Sequence, residues 1–191
     1  GLEWEVRAET RGEGTGGECD QRVDVSAAVA DREAPGGVGL DTACLLGVIR
    51  YLLEHNQVQQ EYGRHYTNAG FLIREDYAFN DGLFSGYDGN KRQYDKSSWF
   101  YQLDEKGNAL RDDTLSHPRC VWNLLKTHVA RYTPEMVSRL CGTSVKDFTR
   151  ICEILGSTSA PDKTATILYA LGWTHHSAGA QIIRAAGMLQ L

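Results

Sequence analysis

The residues best placed to do chemistry are Leu171-Gly172-Trp173-Thr174-His175-His176. They follow a short, mostly apolar run, Thr164 to Leu171, and precede residues at helical spacing. The pattern predicts a strand buried on both faces, a glycine turn at Gly172 and a helix. Ligands of α/β folds bind at the carboxyl ends of such strands, and free N–H groups at a helix start favour a phosphate oxygen. Thr174 can donate and accept, and His175 does either according to its tautomer. A plain strand-to-helix connection accounts for these residues equally well.

Other constellations carry less. Gly12-Glu13-Gly14-Thr15-Gly16-Gly17 has the spacing G-x-G-x-x-G, but a dinucleotide loop needs an apolar strand before it and an amphipathic helix after it. Trp4-Glu5-Val6-Arg7 is a poor strand and Glu18-Cys19-Asp20-Gln21-Arg22 is no helix, so chance spacing in a glycine-rich segment is the better reading. His117 and Cys120 stand at H-x-x-C with no second pair nearby, too few ligands for zinc. His128 falls on an apolar helix face, where a packed histidine is expected. No cysteine is locally paired with a histidine and no G-x-S-x-G elbow occurs. The sequence thus nominates no catalytic and no metal-ligating residue.

The elements that must position such residues are legible from Asp41 onward. Leu45, Leu46, Ile49, Leu52 and Leu53 make one face of an amphipathic helix with Asp41 as its N-cap and Asn56 at its end. Val58, Tyr62 and Tyr66 predict a shorter helix. Between Phe71 and His117 the periodicity fades and Asp-Gly, Ser-Gly and Lys-Gly-Asn turns crowd in. Nine aromatic side chains there, Phe71 and Tyr101 among them, argue for ordered loops and short strands. Pro118 suits a first helical position. Thr133, Pro134 and Gly142 bracket another helix, and Ser144 with Asp147 forms a capping box ahead of Phe148, Ile151, Cys152 and Leu155. Helices alternating with a buried strand indicate an α/β fold with a parallel sheet.

The chain has 191 residues, 41% apolar and 24% charged, enough for a packed core. No apolar run approaches the ~20 residues of a membrane span. Net charge is −5 without a basic block, which suggests neither nucleic acid nor an anionic membrane as partner. Five scattered cysteines read as reduced thiols rather than a disulfide framework. The whole negative balance falls in residues 1–37, where little apolar surface is available. Ile182, Ile183, Ala186 and Leu189 run on at helical spacing with no stop signal, so the chain is expected to be an internal segment of a longer protein.

From about Leu45 to Leu191 the sequence closely resembles the catalytic (alpha) subunit of molybdenum- or tungsten-dependent formate dehydrogenases, respiratory type, in the molybdopterin oxidoreductase family. The resemblance is carried by Leu46-Gly47-Val48-Ile49-Arg50-Tyr51-Leu52-Leu53-Glu54, His65-Tyr66-Thr67-Asn68-Ala69, Asp81-Gly82-Leu83-Phe84-Ser85-Gly86-Tyr87-Asp88 and Tyr94-Asp95-Lys96-Ser97-Ser98-Trp99. Arg131-Tyr132-Thr133-Pro134-Glu135, Thr158-Ser159-Ala160-Pro161-Asp162 and Tyr169-Ala170-Leu171-Gly172-Trp173-Thr174 continue it. It implies four stretches: residues 1–44, a degraded piece of a cofactor domain; 45–70, helical; 71–117, an aromatic loop insertion; and 118–191, helices, strand and a final truncated helix of a parallel-sheet cofactor-binding domain. It further implies a bis(molybdopterin guanine dinucleotide) cofactor with molybdenum or tungsten. Asp20 and Arg22 would match the word near a guanosine ribose, Gly39 and Asp41 the turn near guanine, and Gly172, Trp173 and Thr174 the turn beside the cofactor. His175 stands where the family usually has glutamine.

By the same resemblance the substrate would be formate, oxidised to carbon dioxide. Electrons would leave through a [4Fe-4S] cluster held outside this segment, then an iron–sulfur (beta) subunit and a membrane cytochrome subunit. The family's cysteine cluster and its selenocysteine or cysteine metal ligand do not occur in this chain. The segment alone is therefore expected to lack catalytic residues, to bind no intact cofactor and to expose much of its interface. The respiratory type implies a periplasmic location, with the cytoplasm as the alternative. Two other readings stay open at this point. One is a segment of another molybdopterin oxidoreductase, such as a nitrate or thiosulfate reductase relative. The other is a non-catalytic binding or structural remnant. The Tyr-Asp-Lys-Ser-Ser-Trp word favours the formate branch.

Overall fold

The computed structural model describes residues 40–80 and 82–191 in full, together with the backbone of three strands nearer the start. Those strands are β1 (Trp4–Thr10), β2 (Glu13–Cys19) and β3 (Arg32–Glu33). The candidate residues Asp20, Arg22 and Gly39 lie outside the described residues. Helix and strand are mixed. The chain divides into two compact units, Gly1–Gln59 with Val129–Leu191, and Gln60–His128.

In the first unit, helix α1 (Asp41–Glu54) buries Cys44, Leu45, Leu46, Gly47, Val48, Ile49 and Leu52. That is more than one stripe. A helix that is apolar nearly all round is one enclosed by neighbours, and α1 packs against three others: α4 (Pro134–Cys141), α5 (Val145–Gly156) and α7 (Gly179–Gln190). Close approach is possible because Gly47 has no side chain. A Cβ there would stand 2.5 Å from Val137 Cγ2 and 3.0 Å from Phe148 Cζ. Leu45, Val48, Val137, Phe148 and Ile182 form the fully buried centre.

The predicted caps of α4 and α5 are present. Thr133 Oγ1 accepts from the Met136 N–H at 3.2 Å, Pro134 opens α4, and Gly142 closes it at φ +81°. Ser144 Oγ accepts from the Asp147 N–H at 3.1 Å and donates to Asp147 Oδ2 at 2.5 Å. Replacing Ser144 with alanine is expected to cost about 1 kcal/mol. The loss should show as faster amide exchange confined to the first turn of α5.

Three local expectations are corrected. Asp41 is the first helical residue of α1, not its N-cap. That place belongs to Leu40, which makes no side-chain cap. The helix predicted from Pro118 starts at Val121, as α3 (Val121–Val129). Cys120 is held in an antiparallel bridge to Leu72, and an extended residue cannot belong to a helix. Strand β8 (Thr164–Tyr169) is also not buried on both faces. Ala165 and Ile167 are half-buried, while Thr164, Thr166 and Leu168 are exposed. It pairs antiparallel with β1, from Trp4↔Tyr169 to Glu9↔Thr164, in a sheet of order β3-β2-β1-β8. A parallel arrangement joins only β2 and β3 among the described strands. A short apolar run cannot by itself reveal how many faces it will bury. Gly14, Gly16 and Gly17 of the glycine-rich spacing lie within β2, paired antiparallel with β1, rather than in a loop before a helix.

The second unit begins with α2 (Gln60–Tyr66) and contains two small hairpins. One pairs β4 (Phe79–Asn80) with β5 (Leu83–Phe84), the other β6 (Tyr87–Asp88) with β7 (Gln93–Tyr94). Aromatic rings cluster in it, with Phe79, Tyr94 and Trp99 half-buried and Phe84 exposed. Phe84 meets Phe79 at 4.9 Å and Trp99 at 5.3 Å, and Trp99 meets Tyr94 at 5.2 Å. The Tyr-Asp-Lys-Ser-Ser-Trp word folds to serve that cluster. Asp95 Oδ1 caps the Ser97 N–H at 2.9 Å, Ser98 Oγ lies 2.7 Å from Ser85 Oγ, and the Trp99 indole donates to the Ser85 carbonyl at 2.9 Å. Arg119 braces the same unit by donating to the carbonyls of Ile73, Arg74 and Tyr77. The Asp112 carboxylate accepts from Thr114, Ser116 and His117, and these bonds hold it far below the usual carboxylate range.

Candidate functional site

The site is built where β8 ends. After Tyr169 the chain makes one helical turn, α6 (Leu171–Thr174), and a loop leads to α7. Gly172 therefore sits inside a helical turn instead of forming the turn ahead of a long helix, and the final helix starts only at Gly179. The bend has a purpose in packing. It turns Trp173 inward, where the side chain is 0% exposed. Tyr169 stacks on it with ring centroids 4.9 Å apart and planes inclined by 22°. Gly179 passes so close that a Cβ there would overlap the Trp173 carbonyl oxygen. Nothing in the local pattern singled out Gly179, because its requirement arises from a contact six residues back rather than from its own φ.

A buried indole N–H must find an acceptor, and that of Trp173 finds Asp41. Nε1 donates to Oδ1 at 3.2 Å across a sequence separation of 132 residues. Two of the words identified separately in the sequence, one at the start of α1 and one after β8, thus meet in a single hydrogen bond. Asp41 also lies in the first turn of α1, where a negative charge is favoured by the helix dipole. Its other oxygen, Oδ2, is enclosed by protein, and none of the described residues donates to it. An enclosed carboxylate oxygen without a donor costs stability unless something supplies one.

The remaining candidates are placed differently. Thr174 and His175 have exposed side chains, with His175 ending α6, so both face solvent rather than the Asp41–Trp173 pair. His176 is occupied locally, its Nδ1 accepting from the Ala178 N–H at 3.1 Å. His117 Nδ1 likewise accepts from the Arg119 N–H at 3.1 Å, and Cys120 is fully buried. Among the described residues no cluster of three or more His, Cys, Asp or Glu side chains could hold a metal ion. Cys152 is buried among apolar neighbours, which pushes its thiol far up and leaves it unreactive. No helix among the described residues is long and apolar enough to cross a membrane. What the arrangement offers is an oriented carboxylate acceptor for a donor-bearing group.

No family model matches the chain. Comparison with curated proteins is specific, however. The chain is 58% identical over 191 residues to the major subunit of the nitrate-inducible formate dehydrogenase of Escherichia coli (strain K12), which covers all of the chain and 19% of that protein. It is 41% identical over 190 residues to formate dehydrogenase subunit alpha of Megalodesulfovibrio gigas, again 100% of the chain and 19% of the relative. It is 41% identical over 172 residues to formate dehydrogenase 2 subunit alpha (cytochrome c-553) of Nitratidesulfovibrio vulgaris, 90% of the chain and 17% of the relative. The chain therefore spans about a fifth of the length of these relatives.

Proposed function

We propose that this chain, homologous over its whole length to a segment of formate dehydrogenase major subunits, forms part of the cradle for a bis(molybdopterin guanine dinucleotide) cofactor with molybdenum or tungsten. The observation that carries the reading is the Asp41 carboxylate, with Oδ1 engaged by Trp173 and Oδ2 enclosed without a donor among the described residues. A guanine base carries two adjacent N–H donors on one edge and so fits such an acceptor. When bound, the metal–pterin group would supply the two-electron chemistry by which formate becomes carbon dioxide with release of a proton. This chain's residues bind and orient. Asp41 accepts from the guanine edge, and Trp173 closes the apolar wall behind it. Thr174 and His175, exposed at the end of α6, offer polar contacts at the rim. By the resemblance, Asp20 and Arg22 would lie near the ribose and Gly39 near guanine.

Catalytic groups, the metal ligand and a [4Fe-4S] cluster would then come from the rest of the subunit, together with the parallel sheet of the cofactor domain. An iron–sulfur beta subunit would take the electrons onward, in some relatives to a membrane cytochrome subunit, and the respiratory type favours the periplasm. The name of one relative includes cytochrome c-553, which supports a cytochrome among the onward partners.

The test uses the complete subunit. Asp41→Asn turns one acceptor oxygen into a donor amide, so guanine nucleotide released from the purified subunit should fall at least tenfold per chain, and metal content should fall with it. Formate-dependent dye reduction should fall in proportion. Full nucleotide and metal content in the variant would overturn the assignment of this site.

A further inference from the structure

Resting on the reading of Asp41 as a guanine acceptor, we infer that Trp173 is a positioning residue: its indole N–H fixes the rotation of the Asp41 carboxylate and thereby sets which purine the site accepts. Nothing in the helix does this job. Leu40 provides no side-chain cap, and the Leu40 carbonyl already takes the N–H groups of Ala43 and Cys44 at 3.0 and 3.2 Å. The bond to Trp173 is the hydrogen bond that holds Asp41 Oδ1. Once Cγ and Oδ1 are fixed, the carboxylate plane is fixed, and Oδ2 has one direction in which to accept.

The indole can serve as an anchor because it is itself held on several sides. It is fully buried and stacked against Tyr169, and the close passage of Gly179 past the Trp173 carbonyl holds the backbone from which it projects. Such packing leaves it one rotamer, so the direction of its N–H is inherited from the core and not from the ligand. A preorganised acceptor recognises a base bearing N–H groups at both adjacent positions better than one lacking the exocyclic amine. GMP has both groups, IMP lacks the amine, and AMP presents an acceptor nitrogen where guanine presents N–H.

The experiment measures binding of GMP, IMP and AMP to the cofactor-free complete subunit by calorimetry, with thermal unfolding recorded in parallel. Trp173→Phe keeps a ring against Tyr169 and removes the donor. A second variant carries benzothienylalanine at position 173, which replaces the N–H by sulfur at nearly unchanged size and so guards against a folding defect. Both should weaken GMP about tenfold, the scale of one hydrogen bond to a charged group. IMP and AMP should change little, and the GMP preference should shrink accordingly. In an Asp41→Asn background the same substitutions should have no effect on GMP. If Asp41→Asn abolishes the preference while both Trp173 variants keep it, the positioning role is overturned and the Asp41 reading stands. If Asp41→Asn leaves GMP binding unchanged, that reading fails as well. Equal weakening of all three nucleotides with a lowered melting temperature would show Trp173 to be structural only, and would also overturn the inference.

Discussion

Replacing Phe148 with alanine is expected to remove about 4 kcal/mol of stability from the unit containing α1, α4 and α5. Phe148 is 0% exposed and stands directly against the backbone of α1 at Gly47, 3.0 Å from where a Cβ would be. The cost of such a deletion depends on how far the surroundings can collapse into the space. Here one facing wall is the α1 backbone at Gly47, which has no side chain to move in, and the short, branched Val137 already lies 2.5 Å from the same point. Phe148→Leu keeps most of the volume and should cost only about 1 kcal/mol. Hydrogen exchange in the complete subunit checks this. Amides of α1, α4 and α5 should lose protection together in the alanine variant, while those of residues 71–117 keep theirs. Loss below 2 kcal/mol would mean that the helices can close over the gap.

The second large effect is expected at Gly86, in the turn between the two hairpins. It has φ +84°, and a Cβ would collide with the carbonyl of Asp95, the residue whose N–H donates to the Gly86 carbonyl at 2.8 Å just outside the second hairpin. Gly86→Ala should therefore cost about 3 kcal/mol, from left-handed strain together with the clash. Gly82 is the control. It has the same φ of +84° with nothing within 4 Å of a Cβ, so Gly82→Ala should carry only the conformational part, about 1 kcal/mol. Fluorescence of Trp99, whose indole donates to the residue just before Gly86, reports the difference. Its emission should shift toward that of a solvated indole in the Gly86 variant and hold in the Gly82 variant. Equal effects at the two positions would show that backbone conformation, not the Asp95 contact, sets the requirement.

Much of the helical architecture was legible because its signals are local. Thr133, Pro134 and Gly142 each act within one turn of α4, and the stripe Phe148, Ile151, Cys152 and Leu155 is a property of α5 alone. The aromatic stretch could be recognised as ordered, and its rings pack on one another around Phe84 and Trp99 while several of them stay exposed. What misled were positions where a distant partner outbids the local preference. Asp41 looked like a cap because aspartate caps helices, but its carboxylate is directed to an indole 132 residues away. Pro118 looked like a helix start, but Cys120 answers to Leu72 first. Strand β8 was visible as a strand from its composition, whereas the number of its buried faces depends on what lies beside it.

The sequence by itself determined the kind of chain this is: its resemblance to formate dehydrogenase catalytic subunits, the helices with their caps, and the separate words containing Asp41 and Gly172-Trp173-Thr174. Residue types, periodicity and turn chemistry act over a few positions and can be read without coordinates. Only the tertiary structure decided that two of those words share one hydrogen bond, that no described residue donates to the enclosed Oδ2 of Asp41, and that Gly47 and Gly179 have no room for a side chain. Each of these is a distance between residues far apart in space only until the chain folds, and no local pattern encodes a distance.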